Sequence, residues 1–150
     1  MPMPFTYRHA SEEWRRYLKN LRERTLIDSD NVLYTATEGL FRAFRARVPP
    51  DQVLAFGDEL PAVLRAILVW RWDIAAPLRP WCPRAGIDAE IRALRPDHNF
   101  APAGIIDDLV WAIRQETRQI DLDRVLMRMG PEAQALWAPV ADQTNSSTRS

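Results

Sequence analysis

Apolar side chains recur along this chain at the spacing of helices. Trp14, Tyr17, Leu18, Leu21 and Thr25 share one face after Ser11, Glu12 and Glu13, a capping oxygen followed by two carboxylates, so a first helix is predicted from Ser11. Leu33, Ala36, Thr37, Leu40, Phe41, Phe44 and Val48 trace four further turns, the clearest helix in the chain and the expected centre of its core. Arg42 and Arg45 are assigned to the solvent side of that helix. Pro49-Pro50 stops it, because neither proline can donate a backbone hydrogen bond.

Two short helices are predicted next, about Pro50–Gly57 and Pro61–Trp72, with Val53, Leu54, Val63, Leu64, Ile67 and Leu68 facing inward. Residues 73–86 carry Pro77, Pro80 and Pro83 without an apolar period and read as a surface connector. A short helix over Asp88–Leu94, a loop over 95–101, and a stripe of Ile105, Ile106, Leu109, Ala112 and Ile113 follow. Asp107 and Asp108 read as solvated charges in that stripe's first turn. No segment alternates as a strand would. The predicted class is all-α, about eight helices in a compact bundle.

The segment Asp51–Leu68 has a weaker likeness in Asp123–Trp137, where Val53, Leu54, Pro61 and Ile67 answer to Val125, Leu126, Pro131 and Trp137. A weak internal repeat of this kind implies two related helical halves. The expected organisation is an extended arm over residues 1–10 with Phe5 and Tyr7 as anchors, one domain over 11–140, and a disordered tail over 141–150. The halves fall at about 11–72 and 87–140, either side of the connector 73–86.

Composition narrows the function classes. With 150 residues the chain suits one domain, and its 20 basic and 20 acidic side chains cancel, so no general field draws it to nucleic acid or an anionic membrane. No specific nucleic-acid partner is expected. The apolar runs are too short for a membrane span, and no secretory signal is expected. A lone Cys82 excludes an internal disulfide and points to a reducing compartment, so a cytoplasmic location is expected.

The segments EGLFRAFRARVPPDQVLAFGDELPAVLRAIL (38–68), Trp72-Asp73, IRALRPDHNF (91–100) and DRVLMRMGPEAQALW (123–137) resemble, in order and spacing, the bacterial proteins grouped as domain of unknown function 2267. The resemblance implies an all-helical fold of two related halves. It supplies no activity, cofactor or catalytic residue.

Candidate chemistry is sparse. Asp97 and His98 place an imidazole beside a carboxylate in a loop, as a general base or metal ligand would require; the alternative is a capping Asp and a His bonded to backbone. Cys82 lies between Trp81 and Pro83 among arginines that could lower its pKa. The five glycines are scattered and build no phosphate loop, and His9 and His98 are too few for a metal set. No catalytic residue, metal or cofactor is assigned.

Trp70, Arg71, Trp72, Arg79, Trp81 and Arg84 cluster around the connector, in residue types enriched at interface centres. The leading expectation is a protein–protein interaction or assembly module that docks a protein partner or a second copy of itself there. The alternative is a small-ligand or pigment-binding bundle with its pocket near the tryptophans and His98. An enzyme using Asp97 and His98, or Cys82, comes third.

Overall fold

Backbone hydrogen bonding along the predicted stripes closes nine helices and no strand among the described residues, 3–94 and 104–142, of the computed structural model. They are α1 (Phe5–Arg8), α2 (Ala10–Thr25), α3 (Asp30–Arg45), α4 (Pro50–Gly57), α5 (Ala62–Val69), α6 (Arg84–Ala93), α7 (Ile105–Gln115), α8 (Gln119–Leu126) and α9 (Pro131–Leu136). None is long and apolar enough to cross a membrane.

Local chemistry sets the boundaries. Ser29 Oγ accepts from the Val32 amide at 3.3 Å and caps α3, with Asp30 at the positive end of its dipole. Leu26 ends α2 in the left-handed region at φ 60°, where its amide donates to Arg22. Pro50 and Pro131 open α4 and α9 at positions where a missing N–H costs nothing.

Three helix boundaries depart from expectation, two of them through prolines. Residues 5–8 are a helical turn rather than an extended arm, because the Pro4 carbonyl accepts from the Tyr7 and Arg8 amides. Phe5 and Tyr7 are exposed there and do not anchor it to the core. Helix α6 starts at Arg84, ahead of the expected Asp88, since the Pro83 carbonyl receives the Gly86 and Ile87 amides. Helix α5 stops at Val69, short of Trp72, because Trp70 is extended and Arg71 turns left-handed at φ 48°.

The core forms around α3, whose Leu33, Ala36, Leu40, Phe41 and Phe44 have no exposed surface. Burying each of the larger side chains contributes about 1.5–3 kcal/mol. Phe44, Phe56 and Trp137 close into an aromatic cluster with centroids 4.6–5.4 Å apart, and Phe41 joins it at 6.1 Å from Trp137. α3 packs against α6 and α2 against α7, so each half of the chain covers the central helix of the other. The approach of α3 to α6 is close enough that a Cβ on Gly39 would stand 3.2 Å from Ile91 Cα.

The residue pairing of the expected repeat is not matched by burial. Val53 is buried and Leu54 is 49% exposed, whereas Leu126 is buried and Val125 half-buried. Helix starts instead keep one step: from Pro50 to Gln119 and from Ala62 to Pro131 is 69 positions in both cases. Asp108 departs from expectation too. It is buried and takes Arg24 Nε at 2.9 Å, while that guanidinium lies 4.7 Å from the Trp111 ring centre. Burial raises the Asp108 pKa, opposed by the Arg24 hydrogen bond.

Candidate functional site

The last turn of α3 carries two arginines with different fates. Arg42 is exposed and pairs with Glu38 one turn back at 2.9 Å. Arg45, assigned to solvent from the sequence, is only 8% exposed. It follows Phe41 by four residues and Phe44 by one, so it extends the apolar stripe and is carried inward with it.

What receives its guanidinium is the backbone that leaves α5. Arg45 Nη1 donates to the carbonyls of Leu68 and Trp70, both at 2.8 Å, and Nη2 reaches the Arg71 carbonyl at 3.4 Å. The left-handed Arg71 turns the chain at this point, a conformation costing a non-glycine residue about 1–2 kcal/mol. Asp73 then accepts the Ala75 amide at 3.1 Å, and the connector returns to α3 where the Arg79 amide donates to the Ala46 carbonyl at 2.8 Å.

Between the connector and the end of α3 lies an open cleft of about 340 Å³. Arg42, Arg45, Arg71 and Arg79 line it together with Trp72 and Leu78. Arg79 is neutralised by Glu90 at 2.8 Å, as Arg42 is by Glu38. Among the described residues neither Arg45 nor Arg71 meets a carboxylate: Arg45 has three carbonyls and the Trp72 face at 5.9 Å, and Arg71 has Trp70 at 5.3 Å. Burial, aided by the nearby Arg42 charge, lowers the Arg45 pKa. The cleft therefore holds positive charge in excess of what its own walls balance.

The six residues grouped in the sequence as one surface are divided here. Arg71, Trp72 and Arg79 line the cleft, with exposed Trp70 at its edge against Arg71. Trp81 and Arg84 line a second hollow of about 220 Å³ with Cys82, Ile87 and Leu136. Arg84 is paired with Asp107, and Trp81 packs on the core. A chain of contacts joins the two hollows. Arg79 meets Glu90, Glu90 meets Arg47, and Arg47 Nη2 reaches Cys82 Sγ at 3.6 Å. Asp97 and His98 lie outside the described residues.

Arg45, Arg42 and Leu78 are among the cleft residues missed as members of this site. For Arg45 the signal was its position on the buried stripe, although the carbonyls that meet it come from 23 to 26 residues away. A family model described as uncharacterized conserved protein, DUF2267, matches residues 14–136. Comparison with curated proteins finds no match.

Proposed function

This chain belongs to the DUF2267 family, and from that premise we propose that it is a helical interaction module that docks an acidic protein segment in the cleft beside α3. The observation carrying this reading is Arg45, a buried charge without a carboxylate partner among the described residues. A buried ion is stable only when paired or richly hydrogen-bonded, so an incoming carboxylate gains more here than at a solvated arginine. Trp72 and Leu78 add apolar surface beside the charge, in the arrangement of an interface centre. The family resemblance and the lone thiol favour work in a bacterial cytoplasm.

A second reading draws on the cleft volume, about 340 Å³, which lies within the range of small-molecule sites. One experiment separates the two. Random peptides displayed on phage are selected on the wild-type protein and counter-selected on a folded Trp72→Ala/Arg71→Ala variant. Enrichment of sequences with Asp or Glu next to an apolar residue supports docking. Absence of enrichment overturns it, and a small anion that stabilises the wild type without any peptide selection moves the site to the second reading.

A further inference from the structure

Arg45 has a counterpart whose partners suggest what its own site takes. From Arg45 to Arg114 is 69 positions, the same step that relates α4 to α8 and α5 to α9. Both are buried near the end of their helix, and both donate to carbonyls 23 residues on, Arg45 through Nη1 to Leu68 and Arg114 through Nε to Trp137, each at 2.8 Å. The difference lies in the counter-ion. Arg114 Nη2 is met by Asp123 Oδ1 at 2.7 Å, with Gln119 Oε1 at 3.5 Å from Nη1. The residue 69 positions before Asp123 is Leu54, which has no charge to offer.

Donor counting agrees. A guanidinium has five N–H groups, and the three bonds given for Arg45 use two on Nη1 and one on Nη2. Among the described residues, Nε–H and one Nη2–H have no partner, so the guanidinium keeps two donors for the oxygens of an incoming carboxylate. Glu38, Asp73 and Glu90 stand around the cleft, so a monoanion meets less repulsion there than a phosphate dianion would.

We propose that the cleft binds one carboxylate of an Asp or Glu side chain on the free Nε and Nη2 donors of Arg45, supplying the kind of counter-ion that Asp123 gives Arg114. Arg71 lies at the rim to share the charge, and Trp72 receives the neighbouring apolar side chain. This assignment rests on the docking reading and narrows it to a ligand class.

The test is an NMR titration of the full chain that follows the arginine Nε–Hε signals, with Arg45 identified by its loss in Arg45→Lys. The probe is the capped dipeptide acetyl-Leu-Glu-amide, with acetyl-Leu-Gln-amide and inorganic phosphate as controls. The Glu dipeptide is expected to shift the Arg45 signal saturably, at least tenfold more tightly than either control, and to leave Arg114 unmoved. An unmoved Arg45 signal, or equal binding of phosphate or of the Gln dipeptide, overturns the carboxylate assignment. If peptides are still selected on the wild type but their carboxylates prove dispensable, the docking reading stands and only this assignment fails.

Discussion

Arg47 holds Glu90 through both terminal nitrogens, Nη2 to Oε1 at 2.6 Å and Nη1 to Oε2 at 3.1 Å, from a position almost wholly out of solvent. The pair joins the end of α3 to α6, and Arg47 also donates to the carbonyls of Ala43 and Pro80. Hydrogen bonds from Arg47, the largest influence, keep the Glu90 pKa below its usual 4.5. A depressed acid stabilises the fold above its unfolded pKa and loses that contribution as pH falls through the folded value. Glu90→Gln is expected to cost roughly 1–3 kcal/mol at neutral pH and to flatten the loss of stability below about pH 4.5. Asp108, with its raised pKa, contributes with the opposite sign and survives in the variant. Urea unfolding at several pH values compares the two slopes, and parallel curves would count against the pair as an acid-sensitive tie.

The Tyr17 hydroxyl lies 2.7 Å from Thr37 Oγ1, which itself donates to the Leu33 carbonyl at 2.8 Å. The tyrosine must therefore be the donor of their shared bond, and burial raises its pKa. Tyr17→Phe removes a donor and leaves Thr37 bonded, at about 1 kcal/mol; Thr37→Val strands a buried hydroxyl, at about 1–3 kcal/mol. The double variant is expected to cost less than the sum, by a chemical-denaturation cycle. Additive costs would contradict this donor assignment.

At Gly39 the backbones of α3 and α6 approach closely. Alanine is the better helix former by about 1 kcal/mol, yet its methyl would meet the Ile91 backbone, which cannot swing aside as a side chain does. Gly39→Ala is expected to lower stability by roughly 1–2 kcal/mol net. A rise in melting temperature would mean that the helices separate without cost.

Leu26 offers a gain. It is 88% exposed and left-handed at the end of α2, where its side chain packs little and its Cβ is strained. Leu26→Gly is expected to stabilise by about 0.5–1 kcal/mol, read as an upward shift in melting temperature.

How far the sequence could be read depended on the range of the interactions involved. The helix from Leu33 to Phe44 and its proline stop are local patterns, and the α3 core follows from them. Leu54 was misassigned because it lies next to Val53 in a short helix, where two turns give too little period to choose a face. Arg45 and Asp108 were read as solvated because charge usually is, and the carbonyls and counter-ion that allow their burial come from 23 to 84 residues away. The grouping of Trp70 to Arg84 treated neighbours in sequence as neighbours in space. Arg79 turns the connector back onto α3, and Trp81 and Arg84 face another hollow.

The central claim is that the cleft recognises its partner through Arg45 rather than through general positive charge. Calorimetric titration of one selected acidic peptide into the wild type, Arg45→Lys and Arg114→Lys tests it most directly, since lysine keeps the charge and loses the guanidinium's donors. Binding is expected to weaken at least tenfold, about 1.4 kcal/mol, in Arg45→Lys and to stay within twofold of wild type in Arg114→Lys. Equal affinity for all three proteins would contradict the account.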